Sequence, residues 1–229
     1  FSDECDTTVS DYAVSGVSTS FTVTLPNGIA LACRLKQNPG QHNALNAAGV
    51  LTLLMTQGFD VQRAAEVLGD FSGVRRRFDL VGEVGGITIL DDYAHHPTEI
   101  AATISAAKSL DFKRVCVVFQ PHRYSRVKLF TEVLKDEFAS AFDQADFVVF
   151  MNVYSAGETP IPGITGATFM QPVLDHVGDT EKLAYIDRRM KLIPYLVDNL
   201  TSGDLVSTMG AGDVTGVGPE LLAALQDEE

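Results

Sequence analysis

The sequence predicts an α/β fold, an open and mainly parallel sheet with helices on both faces, filling the chain from about residue 78 onward. Two observations carry this, and a third permits it. After residue 78, short apolar runs alternate with amphipathic stretches of helical length, the pattern of repeated β-α-β units. The chemically unusual residues fall just after those runs, where a parallel sheet presents its carboxyl edge. The chain has 229 residues, 45% of them hydrophobic, which is enough for a sizeable core.

Before residue 78 the pattern is different. Residues 21–25 and 29–35 alternate apolar and polar positions around Pro26-Asn27-Gly28, which predicts a β-hairpin. A helix follows over residues 43–57, closed by Gly58, and a second begins at Asp60 as N-cap and runs to about Leu68. This stretch is too small and irregular for a whole domain and reads as the end of one. Strand 78–83 then turns at Gly85-Gly86 to become an antiparallel partner of strand 87–90. Further strands are expected at 115–119, 147–151, 183–186 and 205–209. Helices are expected near 98–109, 126–142, 168–177, 189–200 and 217–225.

Seventeen basic against thirty acidic residues give a net charge of −13, which argues against a nucleic-acid surface. No run approaches the roughly 20 apolar residues of a membrane helix, so no membrane insertion is expected. No signal peptide is visible. The first residue is Phe1 rather than methionine, as in a piece of a longer protein. Cys5, Cys33 and Cys116 are far apart and form no C-x-x-C pair, which fits a reducing, cytoplasmic setting without zinc or disulfides.

Four segments share the expected carboxyl edge. Asp91-Asp92-Tyr93-Ala94-His95-His96-Pro97 combines carboxylates, a phenol and imidazoles, with Pro97 suited to the first turn of a helix. A carboxylate there can hold ribose hydroxyls, and the imidazoles can bind anions or move protons. The plain alternative is a polar cap at a strand–helix junction. No metal is expected, because adjacent positions converge poorly on an ion. His122-Arg123-Tyr124-Ser125-Arg126 opens a helix with arginines, against the helix dipole, which is tolerable when an anion also binds the helix amides. Salt bridging within an acidic chain is the alternative. The 152–158 loop is the third segment. Gly210-Ala211-Gly212-Asp213 reads as a tight turn and lacks dinucleotide-fingerprint spacing. Away from this edge, Arg75-Arg76-Arg77 marks the join of the two parts, either as a solvated linker or with an arginine reaching a phosphate. Asn43 and Asn46 lie three apart at a helix start, suited to an adenine edge or to capping. No phosphate-binding G-x-x-x-x-G-K-[ST] loop is present.

Taken together, G-Q-H-N-x-x-N at 40–46, R-R-F at 76–78, D-D-Y-A-H-H-P-T-E at 91–99, F-Q-P-H-R-Y-S-R at 119–126, the 153–158 loop and Gly210-Ala-Gly212 resemble the Mur ligase family. The resemblance runs from about residue 34 to the end. It implies that residues 1–77 are the end of a central ATP-binding domain and residues 78–229 a Rossmann-like C-terminal ligase domain. The UDP-binding domain and the P-loop would lie elsewhere. It implies ATP- and Mg2+-dependent amide bond formation through an acyl phosphate. The two long motifs point to the branch that joins L-alanine to UDP-N-acetylmuramate, with this stretch inactive alone. Carried over by position, Asn43 and Asn46 would contact adenine, Asp92 the ribose, and Arg77 the transferring phosphate. His95, Arg123 and Arg126, with Tyr93, would receive the amino acid or the acyl-phosphate oxygens. A ligase that recycles a tripeptide onto UDP-N-acetylmuramate, and a non-catalytic nucleotide-binding or interaction module, are the rival readings.

Overall fold

The structure is a computed structural model that describes residues 5–36, 39–71 and 73–228. It divides into two compact units, Phe1–Arg75 and Arg76–Glu229.

The first unit holds β1 (Thr8–Ser15), β2 (Ser18–Thr24), β3 (Ala30–Leu35), α1 (Gln41–Thr56) and α2 (Val61–Leu68). The strands form an antiparallel sheet in the order β1-β2-β3. Phe21 stands opposite Cys33 and Val23 opposite Leu31, so period-two alternation puts one apolar face against the helices. That face packs on Ala44, Ala48 and Leu51 of α1 and on Val61 and Ala65 of α2. The hairpin is closed by Gly28 N–H donating to Leu25 O at 2.9 Å, with Gly28 at φ 82. Asp60 caps α2 by accepting from Arg63 N–H at 3.0 Å. The expected hairpin and both helices are therefore present. Strand β1 was not foreseen. Its only buried side chain is Val9, and a register shift near Asp11 breaks its alternation.

The second unit is a six-stranded sheet in the order β4-β5-β9-β6-β7-β8. Its strands are β4 (Asp79–Val84), β5 (Ile87–Asp92), β6 (Arg114–Phe119), β7 (Phe147–Met151), β8 (Leu183–Ile186) and β9 (Asp204–Met209). Strand β4 is antiparallel to β5, and every other pairing is parallel. Helices α3 (Pro97–Lys108), α4 (Tyr124–Val133), α5 (Lys135–Ser140) and α6 (Gly166–Val177) cover one face. There Ile100, Ile104, Phe138, Phe142 and Phe169 pack on Val117, Phe119 and Phe150. Helices α7 (Arg189–Asn199) and α8 (Val217–Gln226) cover the other. Their Leu192, Leu196, Val217 and Leu221 pack on Cys116, Val118, Val149 and Val206. The predicted fold is the observed one.

One expectation is corrected in detail. The helix expected over 126–142 is two helices, broken at Leu134 (φ −113°, ψ 30°). The break turns Phe138 and Phe142 into the core, which a straight helix would carry past it. The chain divides into its two compact units after Arg75. Arg76 belongs to the second unit because its side chain is tied to Asp91 and to the carbonyl of Gly210.

Strand β9 lies between β5 and β6, so connections leave its carboxyl end and that of β6 toward opposite faces. Such a reversal opens a crevice at that edge. Strand β4 runs the other way, with Asp79 opposite Asp91, and so delivers Arg76, Arg77 and Phe78 to the same edge.

Candidate functional site

Asp91, at the end of β5, is the hub of the edge. Its side chain is buried, and one oxygen accepts from Thr208 Oγ1 at 2.8 Å. The other accepts from Arg76 Nε at 3.0 Å and Thr215 Oγ1 at 2.7 Å. Arg76 also donates through Nη2 to Gly210 O at 2.6 Å, and its guanidinium lies 5.1 Å from the centre of the Tyr93 ring. Arginine 76 is thus a structural strut that joins β5 to the turn after β9.

Asp92 faces the opposite way. It accepts from Phe78 N–H at 2.8 Å and from Ala94 N–H at 2.7 Å. Burial raises its carboxyl above the usual range, opposed by those two amides and by the charge of Arg77. The Thr103 side chain bonds to it as well, so the carboxylate expected to meet a ribose already holds its own loop.

His95 and His96 lead into α3. Glu99 closes that helix start by accepting from His95 N–H at 3.1 Å and His96 N–H at 3.3 Å. His95 Nδ1 sits 2.9 Å from the Tyr93 carbonyl, an acceptor only, so Nδ1 carries the hydrogen. In the neutral imidazole this leaves Nε2 as the basic atom. The His95 ring packs edge-on to Tyr93 at 5.1 Å and faces His122 at 6.5 Å.

The segment after β6 supplies His122, Arg123 and Arg126. Arg123 is the N-cap of α4 at φ 66°, ψ 128°, a conformation that costs a non-glycine residue about 1–3 kcal/mol. It is held there by its amide, which donates to Tyr154 O at 2.8 Å. His122 stacks on Tyr154 at 5.7 Å. The helix amides do not await an external anion, as the arginines at this helix start had implied. Glu158 accepts from Ser125 Oγ at 2.6 Å and Ser125 N–H at 2.9 Å. Those bonds, with Arg123 nearby, hold the Glu158 carboxyl below its usual range. The glycine turn at 210–213 also serves the protein itself. Gln120 donates to Asp213 Oδ1 at 2.6 Å and accepts from Val214 N–H at 3.0 Å. A Cβ on Gly212 would stand 2.4 Å from Gln120 Oε1, so only glycine permits this approach.

The structure brings together Arg77, Asp92, Tyr93, His95, Arg123 and Arg126 at one edge of the second unit. Asn43 and Asn46 belong to the first unit. There Asn43 donates to Pro39 O at 3.2 Å and Asn46 is exposed. Sequence reasoning missed Gln120, Tyr154 and Glu158 as the parts that fasten these loops. Only the position of each after a strand could have pointed to them.

Arg77, Arg123 and Arg126 make no ion pair among the described residues, although the chain carries thirty carboxylates. His122 lies beside two of them. Burial lowers its affinity for a proton, and the charges of Arg126, Arg123 and His95 lower it further. It therefore stays neutral near pH 7. The sign follows directly. The unfolded chain takes up this proton first, so His122 costs stability as pH falls below about 6.5. Replacing Arg126 with alanine should move the His122 titration upward, as followed by imidazole proton resonances. An unmoved midpoint would show that the guanidinium does not act on the ring.

A parallel-sheet edge that gathers arginines without an ion-pair partner beside the imidazoles of His95 and His122 suits the handling of anionic oxygens. The chain belongs to the Mur ligase family: residues 76–212 match the family's model described as "Mur ligase, glutamate ligase domain". It is 41% identical over 232 residues to the UDP-N-acetylmuramate–L-alanine ligase of Thermobifida fusca (strain YX), covering 97% of this chain and 47% of that protein. It is 42% identical over 199 residues to the enzyme of the same name from Pelotomaculum thermopropionicum, covering 87% and 42%. The crystal structure of the UDP-N-acetylmuramate-alanine ligase of Thermotoga maritima superimposes with a TM-score of 0.77 at 26% identity, covering all of this chain and 47% of that one. The chain spans about half the length of the curated relatives it matches.

Proposed function

We propose that this chain is the part of a cytoplasmic ATP-dependent ligase that receives the amino acid and the activated carboxylate, joining L-alanine to UDP-N-acetylmuramate. Arg123 and Arg126 beside His122, with Arg77 next to Asp92 at the same sheet edge, carry the reading. A carboxylate is a poor electrophile until one oxygen leaves as phosphate, and ATP supplies that phosphoryl group. Arg77, Arg123 and Arg126 fit the charge spread over phosphoryl and carboxylate oxygens, since a guanidinium forks onto two oxygens at once. His95 Nε2 would take the proton that the attacking amine must shed, with Nδ1 anchored on the Tyr93 carbonyl. Tyr93 walls the same space, with 40% of its surface exposed. Asp92 would meet the ribose, and Asn43 with Asn46 the adenine.

Among the described residues no group of three His, Cys, Asp or Glu could hold a metal ion. No helix among the described residues is long and apolar enough to cross a membrane. Residues 1–77 are proposed as the end of the ATP-binding domain, and residues 78–229 as the ligase domain.

The test is amide formation by the full-length protein given ATP, magnesium and UDP-N-acetylmuramate, with L-alanine or a preformed tripeptide as the amine. Turnover with L-alanine is expected, and none from this chain alone. Turnover with only the tripeptide would favour the recycling ligase. Nucleotide binding without turnover on either amine would favour a non-catalytic module.

A further inference from the structure

Helix α4 has no cap of its own. Its N-cap position is held by Arg123, a side chain that accepts no hydrogen bond, and its first turn carries no carboxylate. Its first internal bond runs from Val127 N–H to Arg123 O, so the amides of residues 124–126 find no acceptor within the helix. Two arginines stand at this end, where the helix dipole is already positive. The cap comes from another loop. Beyond the ends of β6 and β7 the two segments stay joined, with Tyr154 N–H donating to Pro121 O and Arg123 N–H to Tyr154 O, each at 2.8 Å. Glu158 continues that seam by taking the hydroxyl of Ser125 on Oε1 and its amide on Oε2. The turn that brings Glu158 back passes through Ala156 at φ 51° and Gly157 at φ 84°, and closes with Glu158 N–H donating to Ser155 O at 3.0 Å. Left-handed backbone at an alanine persists only where its surroundings hold it.

We propose, resting on the function given above, that Glu158 is a positioning residue: it caps α4 from a separate loop and so fixes the first turn from which Arg126 meets anionic oxygens. Both oxygens of Glu158 are committed to Ser125, and it makes no ion pair among the described residues. Its charge therefore offsets the dipole and the two guanidinium groups without occupying either of them. A carboxylate placed directly on Arg126 would neutralise the same field and block the fork. Without Glu158 the first turn loses its acceptor and frays, and Arg126 moves with it. An ångström of play in a charged group costs far more in the transition state than in the folded ground state.

In the full-length protein, kcat/KM for L-alanine is measured per folded molecule in Glu158→Ala, Glu158→Gln and Glu158→Asp, each alone and combined with Arg126→Ala. Glu158→Ala is expected to lower kcat/KM about ten- to a hundredfold. Glu158→Gln should regain most of this, because its amide oxygen still accepts from Ser125 N–H. Glu158→Asp keeps the charge but is one methylene short of Ser125, and should not. In the Arg126→Ala background the Glu158 substitutions should cost less than about twofold more, because the residue they act through is gone. Should Glu158→Ala fail to fold, Glu158→Asp carries both comparisons. A merely structural cap lowers the melting temperature and leaves kcat/KM per folded molecule at its wild-type value, which overturns the proposal. So does a full loss that persists without Arg126. Absence of wild-type turnover with L-alanine would instead overturn the function it rests on.

Discussion

Replacing Arg126 with alanine in the full-length protein should lower kcat/KM for amide formation by about a hundred- to a thousandfold, the loss expected when one preorganised charged donor is removed. The size follows from what Arg126 lacks. No carboxylate among the described residues neutralises it, yet it is half-buried beside His122 and shares a small recess with His95 and His122. A guanidinium held there without a carboxylate partner costs stability, which a bound anion would offset. Lysine at this position should recover only part of the rate, because it keeps the charge and loses the fork. The split between constants is informative. A fall mainly in kcat places the guanidinium on the oxygens that change charge, and a rise only in KM places it on the ground-state carboxylate. Wild-type rates in Arg126→Ala would sink the assignment.

Asp91→Ala should be the most destabilising substitution at the edge, costing about 3–5 kcal/mol as for other broken buried ion pairs. Asp91 is 4% exposed and joins Arg76 of the strand β4 entry, Thr208 of β9 and Thr215 of the following turn. Its loss strands a guanidinium that is only partly solvated and two hydroxyls whose acceptor has gone. Asp91→Asn should lose less, because one oxygen remains to accept a hydroxyl. Hydrogen exchange at the amides of β5 and β9 reads the effect strand by strand, and unaltered protection there would refute the hub.

The two carboxylates of Asp91-Asp92 show what the sequence could and could not tell. Their place after a strand was legible, because apolar runs and polar punctuation are local properties. Their roles were not. One residue's difference along β5 sends Asp91 toward Thr208, 117 residues on, and Asp92 back toward Phe78 N–H on the preceding strand's entry. The same holds for Arg75-Arg76-Arg77. Three identical side chains read as one basic cluster, yet Arg76 is half-buried in a strut while Arg77 is exposed and makes no ion pair among the described residues. Glu158 was unreadable as a cap for α4 because it comes from another loop 33 residues on. The broken helix at Leu134 escaped for a related reason. Its apolar period runs on without glycine or proline, and only the core decides that Phe138 must turn inward.

Strand β9 has a consequence for how the protein is made. It sits between β5 and β6 but leaves the ribosome after both, so a nascent chain holds a gap in the middle of its sheet until residue 209 has emerged. Until then β5 and β6 each expose an unpaired edge rich in valine and isoleucine, the kind of surface that seeds aggregation. Synthesis rate and chaperone supply should therefore govern the yield of this domain more than its final stability does.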